Sequence, residues 1–228
     1  MHVTTTFPGP GRTNTPAAPT PGQATELAAP GPFEVLIVGG GPAGSTLARA
    51  LHGAGVSVAV IDKARFPRDK VCAGWVTPAV FQVLDIDLRE YAASRVLQPI
   101  HAFQTGLVGQ DPVRSDFPGK AVSYGIRRCQ FDDYLLRRSG AELLLGVPIE
   151  SMHRTRDGWL VNDTIQTRLL VGAGGHFCPV ARATGSKAAI ETPVAAQEIE
   201  FGLSPQDRVS GRVEPEVPEL FFTPDLKG

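Results

Sequence analysis

The chain has 228 residues, 42% of them hydrophobic, enough to bury a core and to form one or two domains. Its 22 basic and 23 acidic residues are interspersed and leave a formal net charge of −1, which argues against a nucleic-acid face or a polybasic anchor and leaves small molecules as the expected partners. Cys72, Cys129 and Cys178 lack CxxC spacing and the histidines lack a metal pattern. No apolar run reaches the roughly 20 residues of a membrane span, so neither a disulfide framework, a metal centre nor a transmembrane segment is expected, and a cytoplasmic location is.

Residues 1–32 are rich in Pro, Thr, Ala and Gly and read as a disordered tail with no folding role. Order is expected to begin at Phe33. "VLIV" is a short apolar run bounded by glycines, the pattern of a strand buried on both faces of a parallel sheet. Ala43, Leu47, Ala50, Leu51 and Ala54 then recur at helical spacing, Gly53 and Gly55 can end that helix, and "VSVAVID" returns as a second strand. The three together make a βαβ unit.

Beyond it, "KARFPRDKVCAGWVTP" has no period and reads as a long loop, followed by a short helix at "AVFQVLDI". Extended segments are expected in "VLQPIHAFQTGLVG" and "AVSYGIRR", with turns at Asp111-Pro112 and Pro118-Gly119. "CQFDDYLLRRSG" reads as a helix with Asp132 and Asp133 in its first turn, where the dipole favours acids. "AELLLG" reads as a strand, Asp157-Gly158 as a hairpin turn, and "RLLVGAGG" as an apolar strand running into more glycine. "QEIEFGL" and "ELFFTP" are the last expected strands. There is no internal repeat.

Gly39, Gly41 and Gly44 form GxGxxG between the first strand and the helix. The first glycine permits the tight turn, the second removes a side chain that would block a diphosphate, and the third lets helix and strand pack closely. Pro42 and Ala43 complete the first helical turn, whose free N–H groups and positive dipole end suit phosphate. Asp62 closes the second strand, where a carboxylate can accept ribose hydroxyls and repel a 2′-phosphate. An adenine dinucleotide other than NADP is therefore expected, and the residues themselves leave FAD and NAD both open. Lys63, Arg65, Arg68 and Lys70 can attract a phosphate-bearing ligand or form an ordinary hydrated loop. No GxSxG or P-loop occurs.

"VLIVGGGPAGSTLARAL", "FPRDKVCAGWVTP", "IRRCQFDDYLLRR" and "LLVGAGGHFCPVAR", in that order, resemble the geranylgeranyl reductase-like branch of FAD-dependent oxidoreductases, related to the para-hydroxybenzoate hydroxylase fold. The resemblance implies an α/β chain. A Rossmann-like FAD-binding domain (33–95 and 121–190) would be interleaved with an incomplete antiparallel-sheet substrate domain (96–120 and 191–228). It also implies FAD as cofactor, NAD(P)H as electron donor, and reduction of C=C bonds in an isoprenoid-like or other lipophilic substrate, compatible with peripheral membrane contact. An aromatic or lipophilic monooxygenase is the alternative reaction.

Lys63, next to Asp62, is a candidate cofactor contact by its charge; by the resemblance, Arg127 or Arg128 lies near FAD, and Gly172, Ala173, Gly174 and Gly175 match the family's GADG element, with Arg182 following. Gly174 replaces its aspartate and so removes one polar contact. Cys72 and Trp75 fall on the loop beside the flavin, the first near the ring and the second as an apolar wall. The family's later GD segment does not occur before Gly228, which implies a C-terminally truncated chain, with an inactive nucleotide-binding fragment as the reading of another class.

Overall fold

A computed structural model describes residues 32–185, 206, 214 and 216–223; the expected tail and the "QEIEFGL" strand lie outside these. In chain order the first elements are β1 (Phe33–Val38), α1 (Pro42–Gly53), β2 (Val58–Asp62), β3 (Trp75–Val76), α2 (Pro78–Val83) and α3 (Leu88–Ala92). Next come β4 (Leu97–Ile100), β5 (Ala102–Leu107), β6 (Val113–Asp116), β7 (Ser123–Ile126), α4 (Arg128–Arg137) and β8 (Glu142–Leu145). The rest are β9 (Met152–Arg154), β10 (Trp159–Val161), β11 (Ile165–Gly172), a 3₁₀ turn (Gly175–Phe177), α5 (Pro179–Ala183) and β12 (Glu219–Phe222).

Every residue of β1 except Glu34 is buried, because the strand lies inside a six-stranded sheet of order β8-β2-β1-β11-β10-β9. β8, β2, β1 and β11 run parallel, and β10 and β9 extend the sheet antiparallel. Alternation along β1 sends Val35 and Ile37 into a cluster with Ala48 of α1, Phe66 and Leu136 of α4. Leu36 and Val38 point the other way, toward Ile165, Cys178 and Val180. Both faces are thus covered, and each fully buried Val, Leu or Ile contributes about 1.5–3 kcal/mol. This is the Rossmann-like α/β fold that the glycine pattern predicts.

Two smaller three-stranded sheets flank it, β3-β7-β4 and β12-β5-β6, the second joining β12 in parallel to the β5-β6 hairpin. A third cluster, Phe81, Ile86, Tyr91, Phe131 and Tyr134, packs α2, α3 and α4 together through edge-to-face aromatic contacts.

Three expectations change in the structure. The buried stripe of α1 is Gly44, Ser45 and Ala48, whereas Ala43, Ala50 and Ala54 are exposed; Ser45 tolerates burial because its hydroxyl donates to the Gly40 and Gly41 carbonyls, both at 3.0 Å. Helix α4 starts at Arg128, so Asp132 and Asp133 lie beyond its first turn and pair with Arg128 and Arg137 one turn away. β11 starts at Ile165, three residues before the expected "RLLVG", because Asn162 and Asp163 take left-handed conformations (φ 49° and 56°) that close a second hairpin.

Tyr91 is fully buried, its hydroxyl has no hydrogen-bond partner among the described residues, and burial pushes its phenol up to about 12. Tyr91→Phe removes that unsatisfied group while keeping the ring contacts, so it should raise unfolding stability by about 1 kcal/mol in urea titration. A drop of that size would show that the hydroxyl is bonded.

Candidate cofactor site

The site is built where β1 and β2 end and α1 begins. Gly39 has φ +117°, and a Cβ there would stand 2.5 Å from the Ala173 carbonyl oxygen, so it is confined to glycine by both its backbone and β11's continuation. Its N–H donates to the Ile61 carbonyl at 2.8 Å, while the Ala173 N–H donates to Val38 at the same distance. A Cβ on Gly44 would run into the Gly39 carbonyl, which is how closely α1 presses on the strand end. At Gly40 a side chain would press on Phe66 and Leu136, each 3.2 Å away.

Gly41 is different. The nearest atom to a Cβ placed there is Nη2 of Arg68, 3.6 Å away, so its main chain is bare on the side that faces that guanidinium. Three of these glycines are explained by the protein packing on itself; Gly41 leaves a cradle that a side chain would fill. Such a cradle at the N-terminus of a twelve-residue helix fits a diphosphate. Pro42 and Ala43 stand at the start of α1, half-buried and exposed.

Asp62 holds this loop in place. One carboxylate oxygen accepts the Gly40 N–H and the other accepts the Ala64 N–H, both at 2.8 Å. The sequence suggests a ribose acceptor. The geometry gives Asp62 a main-chain partner on each oxygen, and the same residue also lines a cavity.

That cavity, about 310 Å³, is bounded by Gly39, Asp62, Lys63, Arg68, Gly174 and Phe177, among others. It falls at the small end of ligand pockets, roughly 300–1,000 Å³. Phe177 is 69% exposed at its edge, and Arg182 fixes the turn beneath it by donating to the Phe177 carbonyl at 2.8 Å. Gly172 does not line this cavity: a Cβ there would meet the Cys178 sulfur at 2.8 Å, so its small size serves packing against α5.

The expected arginine pair separates. Arg127 is exposed at the N-cap of α4, whereas Arg128 turns inward to Asp132, which is fully buried and accepts from Nε at 2.9 Å and Nη2 at 3.1 Å. The Asp132 bond raises the Arg128 pKa above its ordinary value against the opposing pull of desolvation, and a hydrogen bond with Cys72 raises it further. Cys72 therefore lies beside Arg128. Trp75 sits on a different sheet and packs edge-to-face on Phe103 at 5.5 Å between ring centres. Neither Cys72 nor Trp75 lines the cavity beside Asp62. The contributions of Asp132, Ser45 and Phe66 were not apparent from spacing alone, because nothing local in the sequence says which partner each one meets.

Comparison with known proteins accords with this geometry. Residues 32–89 match the model of an FAD binding domain family. The chain is 33% identical over 167 residues to a menaquinone reductase of Mycobacterium tuberculosis, covering 68% of this chain and 40% of that protein. It is 30% identical over 158 residues to a geranylgeranyl diphosphate reductase of Rhodobacter capsulatus, covering 63% and 37%. Among solved structures, Pseudomonas aeruginosa PqsL in complex with 2-aminobenzoylacetate has the same fold, with a TM-score of 0.57 and 22% identity over 75% of this chain and 48% of that one. The chain spans about 40% of the length of these two curated relatives. It carries an FAD-binding, flavoenzyme-type fold, its cofactor is FAD, its curated relatives include reductases, and a probable FAD-dependent monooxygenase shares its fold.

Two substitutions separate the kinds of glycine. Gly41→Ala should leave the melting temperature nearly unchanged and weaken FAD binding about tenfold or more, whereas Gly44→Ala should cost several kcal/mol of stability by driving a methyl into the Gly39 carbonyl. Equal thermal shifts in the two variants would contradict the distinction. Asp62→Ala orphans the Gly40 and Ala64 N–H groups and should cost about 1–3 kcal/mol without any cofactor present, measured by denaturation of the cofactor-free protein.

Proposed function

We propose that this chain is an FAD-dependent oxidoreductase that reduces C=C bonds of an isoprenoid-like or other lipophilic substrate. The observation that carries the cofactor half is the bare face of Gly41 at the start of α1, beside a cavity that Asp62 lines. The substrate half is supported by the two relatives named for menaquinone and geranylgeranyl diphosphate, both isoprenoid compounds.

In this reading Gly39, Gly41, Pro42, Ala43 and Gly44 present main chain to the diphosphate, and Asp62 and Lys63 border the adenosine end of a cavity that Gly174 also lines. Asp62 does so while keeping the glycine loop in shape, since it accepts the Gly40 N–H. FAD supplies the reversible two-electron chemistry. The chain supplies position and polarity: the charge of Arg128 is held fixed by Asp132 beside Cys72, and the Trp75–Phe103 pair gives an apolar surface. Arg127 remains at the exposed N-cap, where it can meet an anionic group on an electron donor or substrate. NAD(P)H is the donor in this reading. Among the described residues no helix is long and apolar enough to cross a membrane.

The test is anaerobic turnover. FAD-loaded protein, reduced with NAD(P)H or dithionite under argon, should convert a geranylgeranyl-bearing lipid into product carrying two added hydrogens per reduced bond, detected by mass spectrometry. Product that forms only with oxygen and carries an added oxygen atom would replace this reading with the monooxygenase one.

A further inference from the structure

Arg68 lies on the irregular segment after β2, outside the glycine pattern, yet its guanidinium stands at the point where the glycine loop is bare. Nη2 is the atom nearest to the missing Gly41 side chain, at 3.6 Å from a Cβ there. The same group stacks over the Phe66 ring, 4.8 Å from its centre, and borders the cavity shared by Gly39 and Asp62. Its side chain is only 20% exposed.

The charges around it do not balance. The fully buried Asp132 carboxylate faces two guanidiniums, and it binds Arg128 through two short contacts of 2.9 and 3.1 Å. Its contact with Arg68 is single and long, 3.4 Å. Charge-assisted bonds of this type are normally about 2.7–2.9 Å, so Asp132 is spent on Arg128 and holds Arg68 only loosely. Arg68 thus brings a second positive charge to a carboxylate already held by Arg128, and it does so at the edge of the cavity and beside the bare main chain of Gly41. A guanidinium fork in that place matches the oxygens of a diphosphate.

We propose that Arg68 is the diphosphate clamp of this site and that Asp132 is its positioning residue. Asp132 neutralises Arg128 and tethers Arg68 over Gly41 through one long contact at Nη2. The assignment rests on the FAD reading above and adds a residue to it. When the diphosphate settles on the N-terminus of α1, Arg68 closes over it from the side opposite the helix, exchanging its long bond to Asp132 for short bonds to phosphate oxygens.

The experiment measures equilibrium binding of FAD, ADP and adenosine to the wild-type chain and to Arg68→Ala and Arg68→Lys, by calorimetry or flavin fluorescence, with thermal melts as a check on folding. Arg68→Ala should weaken FAD and ADP about tenfold or more and leave adenosine unchanged, because only the first two carry a diphosphate. Arg68→Lys, which keeps the charge and loses the fork, should fall between. Added salt should weaken wild-type binding of ADP more than that of Arg68→Ala. Asp132→Asn, if folded, should reproduce the selective loss, and if it does not fold the Arg68 variants decide alone. Equal affinity for ADP in wild type and Arg68→Ala, or a parallel loss for adenosine, would overturn the clamp and leave Arg68 as a lid on Phe66. Failure of the wild-type chain itself to bind FAD and ADP would instead overturn the FAD reading, and the clamp with it.

Discussion

The arrangement at this site depends on one close approach: the first turn of α1 lies directly against the carbonyl of Gly39, with room for no side chain at Gly44. That contact fixes where the helix N-terminus points. Beside it Gly39 takes a positive φ, the main chain of Gly41 is bare toward Arg68, and the Gly40 N–H donates to the Asp62 carboxylate. An anion-binding helix end is effective only if its N–H groups are held at a fixed distance from the strand that carries the rest of the site. Here hydrophobic burial of β1 on both faces supplies the rigid base, and the loop is held onto it by main-chain bonds from Gly39 to Ile61 and from Ala173 to Val38.

Charge is distributed over the same small volume in a graded way. Asp62 is bound to main-chain N–H groups, Asp132 to Arg128, and Arg68 is held by one long contact and a ring. Removing one member of a buried ion pair typically costs about 3–5 kcal/mol, so the Arg128–Asp132 pair is the rigid part of this network. The loosely held group faces the ligand space. A site that must receive and release an anion needs such a difference between fixed and exchangeable charges.

Much of this was legible in the sequence because it is local. The apolar run of β1, the glycine spacing and the returning strand need only neighbours within about 30 residues to declare a βαβ unit. Strand β12 was also expected from "ELFFTP" and β5 from "VLQPIHAFQTGLVG", although their pairing was not. What was hidden depends on long-range meetings. Gly40 is a free position in the glycine pattern, yet it is confined by Phe66 and Leu136 from two other segments. Asp132 reads as a dipole-compensating acid until the start of α4 at Arg128 turns it inward. Helix α3 escaped notice because it is five residues long, although Asp87 caps it by accepting the Arg89 and Glu90 N–H groups. Strand β6 is exposed at every position and carries no apolar signal.

The most direct measurement is a crystal structure of the chain grown with FAD. The account predicts diphosphate density against the main chain of residues 41–43, with the adenosine in the cavity bordered by Asp62 and Lys63. Density for the cofactor in another cleft, with side chains of the protein filling the space over Gly41, would contradict it.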